Sequence, residues 1–470
     1  MFDLTQLSEW LQPIRWPLTA AYLASLALLC TFGIHRYWLT ATFYRTRRRN
    51  PQIGTRFRRL PRVTIQLPMY NERFVAARVI ESACGVDYPA DRLQVQVLDD
   101  SDDASAEVVR RCVERMQQRG HDVQLIRRSD RSKFKAGALQ HGLADATGEF
   151  LAVFDADFIV PRDFLKRAVH HFTAEDVGFV QACWQHINRD ASMLTRSQAI
   201  FLDSHFLIEH AARSRSGRWM NFNGTAGLWR RSAIDAAGGW QADTLTEDVD
   251  LSYRAQLAGW RGVYLADLPC PAELPPETRG FKSQQRRWAK GSVQVGRKLL
   301  GQIWRSAQPL RVKTEATFHL LSPLVYPAMV VTLLLTVPAL LVNLQPMADG
   351  PVTGWLIGLG LFIAATASGA TIYLAGVIER GGSVWRNLCS MPVFAAIGIG
   401  IALGNAVGVI EALCGIGSPF VRTPKYRATA RRISRRRFRL IALPADRRQS
   451  LAEITFAGYL TLGRSEEHTS

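Results

Sequence analysis

Asp155 and Asp157 form an Asp-Ala-Asp triplet at the end of an apolar run, and their types and spacing suggest chemistry. Carboxylate oxygens at the end of a buried strand can bind Mg²⁺ or Mn²⁺ and bridge the ion to a diphosphate. A bound metal would offset the charge that develops on a departing phosphate. The competing interpretation is a pair of acidic residues that opens a loop, and the triplet alone does not decide between them.

Two further acidic pairs each have a chemical and a structural interpretation. Asp99 and Asp100 follow an apolar run, where they can accept hydrogen bonds from a base or ribose, or belong to a cap of the helix predicted from residue 104. Glu247 and Asp248 precede a helix-like stretch. A carboxylate there can act as a general base when burial and neighbours tune its pKa. The alternative for this pair is a capping box.

Cationic and small residues between these acids suggest contacts with a phosphate and a sugar. Lys133 and Lys135 can meet a diphosphate, although the same residues also suit a solvated basic loop. Asn223, Gly224 and Thr225 match the N-glycosylation pattern, which we interpret as accidental because this part of the chain is predicted to be cytosolic. The glycine allows the backbone to approach a ligand closely, as a sugar acceptor would require.

Segment 284–288, Gln-Gln-Arg-Arg-Trp, combines an amide, a guanidinium group and a large aromatic face. Gln284 supplies the amide. Arg287 can pair with phosphate through two hydrogen bonds, and Trp288 offers a flat surface to a sugar ring. Taken alone, the segment slightly favours an interfacial belt of Trp and Arg beside a membrane. Its position after the three acidic motifs favours a binding site instead.

The acidic motifs are positioned by short apolar runs that alternate with charged, helix-like stretches. Strands are predicted at 63–67, 95–98, 123–126, 150–154 and 177–180, and helices at 73–84 and 104–118. This alternation predicts an α/β fold with a largely parallel sheet covered on both faces. Ligands bind such sheets at the carboxyl ends of the strands, where two of the acidic pairs lie.

Residues 17–39 are long and apolar enough to span a bilayer. A cleaved signal peptide is disfavoured, since the preceding residues are not basic and the apolar run is too long. Arginines follow this stretch, which predicts that the chain is cytosolic from residue 45 onward.

Further apolar stretches are found at 319–344, 354–377 and 392–416. The basic segment 422–448 follows, and three crossings would place it outside, against the positive-inside rule. We therefore predict that one stretch is interfacial or re-entrant. We choose the third, which contains Asn405 and Glu411 and is rich in Gly and Ala.

The formal net charge of +18 could indicate a nucleic-acid partner. Its arginines crowd beside the apolar stretches, however, which favours anionic lipid, and no nucleic-acid-binding motif is visible. We therefore expect the lipid bilayer as a partner and no nucleic acid. The scattered cysteines indicate neither a disulfide framework nor a zinc site.

Six motifs together resemble those of family 2 glycosyltransferases, specifically the cellulose synthase-like group that includes plant mannan and glucan-backbone synthases and bacterial relatives. They lie at 67–72 (Leu-Pro-Met-Tyr-Asn-Glu), 98–101 (Leu-Asp-Asp-Ser), 154–157 (Phe-Asp-Ala-Asp), 222–227 (Phe-Asn-Gly-Thr-Ala-Gly), 244–248 (Thr-Leu-Thr-Glu-Asp) and 284–288. The resemblance covers roughly residues 63–426. It implies a GT-A (Rossmann-like) cytosolic domain with N- and C-terminal transmembrane helices.

The resemblance also implies roles for individual residues. Asp248 would be the catalytic base of an inverting reaction. The nucleotide sugar would be bound by Asp99, Asp100, Lys135, Asp155 and Asp157, the last two also holding Mg²⁺ or Mn²⁺. The acceptor and pyrophosphate would be bound by Gly224, Thr225, Glu247, Gln284, Arg287 and Trp288. Segment 420–426 is similar to the gating loop of cellulose synthases, and its matching positions are Thr423 and Lys425.

We expect the following organisation of the chain. It comprises a short N-terminal segment (1–16), a membrane anchor (17–39), a basic linker (40–62), the GT-A domain (63–295), interfacial and transmembrane helices (296–416), a basic cytosolic segment with the gating-loop-like motif (417–450), the start of a truncated membrane helix (451–463) and an artefactual tail (464–470). The tail is typical of a translated sequencing adapter.

The expected function is that of a processive, inverting β-glycosyltransferase in the plasma or inner membrane. It would transfer a hexose from UDP-glucose or GDP-mannose to a growing β-1,4-linked polysaccharide, which membership of the family implies is extruded through a channel of membrane helices. One alternative is a non-processive enzyme that acts on a lipid acceptor instead of a glycan. A second is a non-catalytic membrane scaffold or transporter, which the retention of every acidic residue disfavours.

Overall fold

The structure is a computed structural model that describes residues 12–344, 353–388, 391–418 and residue 425. Several predicted features lie wholly or mostly outside the described residues: the N-terminal segment 1–16, the basic segment 417–450 with Thr423, the membrane-helix start at 451–463 and the tail at 464–470.

One seven-stranded sheet forms the centre of the domain. Its strands are β1 (Val63–Met69), β2 (Leu93–Asp99), β3 (Val123–Ile126), β4 (Phe150–Val153), β5 (Val177–His186), β6 (Gly227–Arg230) and β7 (Arg261–Ala272). Their order across the sheet is β3-β2-β1-β4-β6-β5-β7. Only β6 among these strands runs antiparallel to its neighbours, so the other six share one direction.

Helices precede, cover and follow the sheet. The α-helices are α1 (Arg15–Thr46), α2 (Ala76–Cys84), α3 (Ser105–Gln118), α4 (Phe134–Gly142), α5 (Phe164–Ala168), α6 (Met193–Asp203), α7 (Ala211–Arg215), α8 (Arg231–Ala236), α9 (Glu247–Leu257), α10 (Thr278–Arg305), α11 (Leu310–Leu321), α12 (Val325–Leu344), α13 (Thr353–Glu379), α14 (Val384–Leu388) and α15 (Met391–Cys414). Short 3₁₀ segments lie at Gln12–Ile14, Ala90–Arg92, Val169–Thr173 and Ser322–Leu324, and a π-helical segment at Ser204–His210.

The sheet is buried on both faces because its strands are apolar on both sides. In β4, Phe150 belongs to the core shared with α2 and α3, whereas Leu151 belongs to the core shared with α4 and α9. This alternation follows from the two-residue period of a strand. Helix α3 contributes Val109 and Val113, one helical turn apart, to the first of these cores. The predicted α/β architecture, with helices on both faces of a largely parallel sheet, is confirmed.

The five predicted strands are all present, and two further strands, β6 and β7, were not predicted. Strand β6 spans only four residues, which is too short for a clear period. Strand β7 contains Pro269 and Pro271, and proline argues against a strand because it cannot donate to the ladder.

Among the described residues, three helices are long and apolar enough to cross a membrane: Gln12–Thr46, Leu310–Ala339 and Pro392–Cys414. The third covers most of the stretch 392–416 that was predicted to be interfacial or re-entrant. It belongs to one unbroken helix of 24 residues, α15. Whether α15 lies in the interface or crosses stays a prediction. Its Glu411 pairs with Lys290 of α10, at 2.8 Å, and so faces protein rather than lipid.

Candidate active site

The carboxyl ends of the parallel strands open into a cavity of ≈ 190 Å³. Most of the predicted site residues line it: Asp100, Lys135, Asp155, Asp157, Gly224, Glu247, Asp248, Gln284, Arg287, Trp288 and Lys425. Asp99 and Thr225 are buried behind its wall and are absent from the lining. Predicted residues from seven parts of the chain therefore meet at one edge of the sheet, where the parallel strands end.

Asp155, just beyond β4, is held by two polar contacts. Its backbone N–H donates to the hydroxyl of buried Thr225 at 2.8 Å, and Lys135 Nζ donates to its carboxylate Oδ1 at 2.6 Å. The same ammonium group donates to the carbonyl oxygen of Gly224 at 2.9 Å. Thr225 thus positions the acidic motif from behind, and Lys135 joins that motif to the loop before β6. A solvated basic loop does not describe Lys135.

Asp157 faces the cavity and pairs with Lys425, whose Nζ lies 2.6 Å from Oδ2. Its backbone carbonyl oxygen accepts from Arg78 Nη2 at 2.9 Å, which fixes the turn after β4. Lys425 is therefore brought into the site from a position 268 residues away. The predicted partner position Thr423 has no described geometry.

The two carboxylates fit a hard divalent cation in chemistry, since Mg²⁺ and Mn²⁺ prefer oxygen ligands. No group of three or more His, Cys, Asp or Glu side chains suited to a metal occurs among the described residues. Asp155 and Asp157 are therefore the residues that would hold such a cation here.

Asp248 lies in the first turn of α9, at the inner end of the cavity. Burial and the neighbouring Glu247 carboxylate together raise the pKa of its carboxyl group to about 7, although Lys135 and Arg287 act in the opposite direction. A carboxyl group with this pKa can accept a proton near neutral pH. Thr246, the residue before α9, makes no side-chain cap hydrogen bond, so a capping box does not account for these acids.

Gly224 brings backbone against this carboxylate. A Cβ at position 224 would stand 2.9 Å from Asp248 Oδ2, and the residue has a φ of +78°. Only glycine adopts this conformation freely and leaves the space beside Asp248 open.

Asp99 and Asp100 divide their roles at the end of β2. Asp100 lines the cavity and its carboxylate pairs with Arg128. Asp99 is fully buried and accepts from the backbone N–H of Ser101 at 3.1 Å. The capping alternative also holds further along, because Asp103 Oδ1 accepts from the N–H of Ser105 at 2.8 Å. The structure therefore brings Asp100, but not Asp99, into contact with the cavity.

Helix α10 presents segment 284–288 on two faces. Gln284, Arg287 and Trp288 are three and four residues apart and line the cavity together. Arg286 points elsewhere and pairs with Glu411 of α15 at 2.6 Å. The segment thus lines the cavity with three residues and contacts the apolar helix α15 with a fourth.

Several cavity residues were not predicted as site residues. They are Tyr70, Glu72, Arg131, Trp184, His186, Asn223 and Glu273. Tyr70 and Glu72 lie in a motif that carried the resemblance, and the Arg131 guanidinium carbon stands 3.3 Å from the Tyr70 ring centroid. Burial lowers the pKa of His186 to about 4, so its imidazole is neutral. For Trp184 and His186 no sequence signal exists beyond their place at the end of a strand.

A second cavity, of ≈ 320 Å³, adjoins the first. Both are lined by Asp248, Gln284 and Trp288, which therefore form their common wall. The second cavity extends to Phe32 of α1 and Tyr326 of α12, which belong to candidate membrane spans. A path of space thus leads from the acid at the centre of the site toward the apolar helices.

Comparison with known proteins shows which family this part of the chain resembles. Residues 61–291 match the family model "Glycosyltransferase like family 2". Glucomannan 4-beta-mannosyltransferase 1 of Oryza sativa subsp. japonica is 42% identical over 262 residues, which is 55% of this chain and 50% of the relative. Glucomannan 4-beta-mannosyltransferase 2 of Arabidopsis thaliana is 41% identical over 251 residues, 52% of this chain and 47% of the relative. The match thus spans about half the length of these curated relatives.

Among solved structures, the mannosyltransferase PcManGT from Pyrobaculum calidifontis, in complex with GDP-Man and Mn²⁺, is similar over 84% of this chain and 99% of its own. The TM-score is 0.53 and the sequence identity 22%, a likeness of fold. The resemblance drawn from the motifs is confirmed: residues 61–291 form a family 2 glycosyltransferase domain with a GT-A-like α/β fold.

Proposed function

We propose that this chain is an inverting hexosyltransferase that moves mannose from GDP-mannose to a growing β-1,4-linked polysaccharide at a membrane. The observation that carries the proposal is the half-buried Asp248 carboxyl group, with a pKa of about 7, at the wall shared by two cavities. The donor side of that wall carries the acidic motifs, and the other side is open to an acceptor.

On the donor side, the groups that meet a nucleoside diphosphate are Asp100, Lys135, Arg287 and the two metal-binding acids. Asp100, oriented by Arg128, accepts hydrogen bonds from the nucleoside. Lys135 and Arg287 are cations suited to the diphosphate oxygens. Asp155 and Asp157 would hold Mg²⁺ or Mn²⁺, which when bound offsets negative charge on the leaving diphosphate.

In the transfer step, an acceptor hydroxyl oxygen forms a bond to the anomeric carbon while the bond from that carbon to the phosphate oxygen breaks. Asp248 takes the hydroxyl proton, and the electron pair of the broken bond leaves with the nucleoside diphosphate. Attack from the face opposite the leaving group inverts the anomeric centre, so an α-linked donor gives a β-linked product. Gly224 keeps the approach to Asp248 free of side-chain atoms.

The choice of mannose rests on the relatives. Both curated relatives are named as mannosyltransferases, and the similar solved structure contains GDP-Man. UDP-glucose is the competing donor, because the cavity walls described above are equally suited to either diphosphate. A parallel assay with both donors decides between them.

A polymer product is supported by the second cavity, which continues the site toward α1 and α12. A growing glycan needs such length on the acceptor side, and Trp288 at the junction offers an aromatic face to a sugar ring. The three membrane-length helices support a site at the bilayer, with the domain on the cytosolic side as the arginines after α1 predict.

The test is transfer by the purified full chain in lipid nanodiscs, supplied with Mn²⁺ and radiolabelled GDP-mannose or UDP-glucose in separate reactions. We expect mannose incorporation into a product that endo-β-1,4-mannanase degrades. Asp248→Asn should lower kcat by about 10²- to 10⁴-fold, the usual contribution of a general base. Asp145→Asn, an exposed carboxylate outside the cavity, is the matched control.

Each part of the proposal has its own contrary outcome. Unchanged transfer by Asp248→Asn would exclude this residue as the base. Incorporation from UDP-glucose alone would exclude mannose as the transferred sugar. A product that carries one sugar on a lipid would replace the polymerase with the non-processive alternative.

A further inference from the structure

A separate cavity, of ≈ 490 Å³, is lined by an unusual number of arginines. They are Arg49, Arg215, Arg218, Arg261 and Arg311. We call this space the arginine cavity. It shares no lining residue with the candidate active site.

The arginine cavity lies at the opposite edge of the sheet from the catalytic acids. It is lined by Asp176, directly before β5, and by the first residues of β7, Arg261 to Val263. These strands share the direction of β4, whose far end carries Asp155. The cavity therefore sits at the amino ends of the strands and is not an extension of the donor site.

The positive charge of the cavity is poorly balanced by its own walls. Asp176 is the only acidic residue in the lining, and both its oxygens accept from Arg261, at 2.8 and 3.1 Å. In the described part of the chain, Arg215 donates to a neutral partner, the side-chain oxygen of Asn50, at 3.3 Å. Since the one acidic residue of the lining pairs with Arg261, no carboxylate of the lining is left to pair with the other four arginines.

Two of these guanidinium groups are also partly removed from water. Burial lowers the pKa of both Arg215 and Arg218, and this effect outweighs the opposite influence of carboxylates outside the cavity lining, Glu379 on Arg215 and Glu315 on Arg218. The charge of Arg311 lowers the pKa of Arg218 further. A lowered pKa means that the charged form is disfavoured where it stands. An anion in the cavity would relieve this cost for both residues.

The cavity also meets the ends of two candidate membrane spans. Arg49 lies three residues after the end of α1, and the Arg218 guanidinium carbon stands 4.3 Å from the ring centroid of Trp38 in α1. Helix α11, where the second span begins, opens at Pro309 with no side-chain cap and no acidic residue in its first turn. Arg311 occupies that turn, where a cation opposes the helix dipole and an anion would complement it.

We propose that the arginine cavity binds a phosphate group carried by an anionic ligand at the membrane surface. Guanidinium groups pair with phosphate oxygens through two parallel hydrogen bonds, and several of them converge here beside an uncapped helix terminus. The phosphate can belong to the headgroup of an anionic phospholipid or to a free phosphate compound. Because the arginine cavity lies at the ends of two candidate membrane spans, a phospholipid headgroup could reach it while the lipid stays in the bilayer.

The test measures binding to the purified full chain in two arms. In the first, native mass spectrometry follows the retention of phosphatidylglycerol against phosphatidylcholine from mixed micelles. In the second, inorganic pyrophosphate is titrated and its Kd is measured by calorimetry. The variant is Arg49→Gln with Arg311→Gln. The matched control is Arg48→Gln with Arg305→Gln, which removes the same charge from neighbouring positions outside the cavity.

We expect the double variant to bind about 10- to 30-fold more weakly than the wild-type chain, since each side chain that hydrogen-bonds the phosphate contributes about a factor of five. The control residues lie outside the cavity lining and make no such contact, so their loss should stay within about twofold of wild type on the same scale. Loss in the phosphatidylglycerol arm identifies the lipid as the source, and loss in the pyrophosphate arm identifies a free phosphate. Either result supports the proposal.

Equal loss in the variant and the control would overturn the proposal, because it would reduce the effect to net charge. Absence of phosphatidylglycerol and pyrophosphate binding by the wild-type chain would overturn it as well. Arg218→Lys gives a second variant for the case that the double variant does not fold. It keeps the charge and removes the paired hydrogen bonds, and unchanged binding by Arg218→Lys would contradict the convergent geometry.

Discussion

Gly224 stands so close to Asp248 that a methyl group at position 224 would lie 2.9 Å from Asp248 Oδ2. We expect Gly224→Ala to lower the rate of sugar transfer roughly 100-fold or more, because the added atom displaces the Asp248 carboxylate and blocks the approach of the acceptor. Gly120→Ala is the matched control, since Gly120 also has a positive φ, +83°, but open space around it. Both variants should lose about 1 kcal/mol of stability from the strained backbone.

Transfer rates and thermal melting of the two glycine variants are measured side by side. Equal activity of the two would show that the closeness of residues 224 and 248 has no bearing on catalysis.

Glu247 sets the pH at which Asp248 works. The Asp248 carboxyl group, with a pKa of about 7, must be deprotonated to accept a proton, so kcat/KM should rise with pH through about 7 and then level. Glu247→Gln removes a negative charge that raises this pKa, and the rise should therefore move to lower pH. The pH profile of kcat/KM measures the shift. Glu247→Asp keeps the charge and should keep the midpoint; a midpoint shifted upward in Glu247→Gln would contradict the assignment.

Lys425 competes with a divalent cation for Asp157. Its ammonium nitrogen lies 2.6 Å from the carboxylate oxygen that the metal would use. We expect Lys425→Met to tighten Mn²⁺ binding to the donor-free protein by on the order of tenfold, the effect of about 1.4 kcal/mol of charge repulsion. Electron paramagnetic resonance of free Mn²⁺ measures the Kd. Lys133→Met, an exposed lysine outside the cavity, should leave it unchanged. Weaker Mn²⁺ binding by Lys425→Met would show that this lysine assists metal binding.

Thr225 holds the acidic motif through a single buried hydrogen bond. Thr225→Val keeps the shape but leaves the backbone N–H of Asp155 without its acceptor at 2.8 Å. We expect a loss of about 1–3 kcal/mol in the free energy of unfolding. A raised KM for the nucleotide sugar should accompany it, because the Asp155 carboxylate is no longer held in place. Thr225→Ser retains the hydroxyl and should restore both properties. A normal KM in Thr225→Val would limit Thr225 to a structural role.

The sequence predicts those parts of the site that follow from the rule for parallel strands. Asp100 and Asp155 follow separate strands, and the carboxyl ends of those strands meet at one edge, so their proximity could be foreseen. The side-chain directions could not. Asp99 and Asp100 are adjacent acids, yet only Asp100 reaches the cavity, because Asp99 ends the strand inside the core.

Other site residues could not be predicted from the sequence because they depend on irregular strand pairing or on long-range contacts. The pairing of β5 with β7 shifts register between Ala182 and Cys183, and such a shift changes the face on which later side chains lie. Simple alternation along β5 therefore does not predict that His186 enters the cavity. The place of Lys425 in the site depends on its contact with Asp157, which lies 268 residues earlier in the chain. Neither hydrophobic periodicity nor secondary-structure propensity encodes such a contact.

Strand β6 has a consequence for how the two sides of the site can vary. Its neighbours deliver their last residues to the catalytic edge, whereas β6 runs the other way and delivers the residues that come before it, Asn223 and Gly224. Under the proposed function, the acceptor side is thus supplied by the loop that enters β6, and the donor side by loops that leave the parallel strands. Insertions between α7 and residue 222 would therefore change the acceptor end of the site, while the residues around the diphosphate keep their positions. This loop is the segment to exchange between relatives in order to transfer acceptor preference.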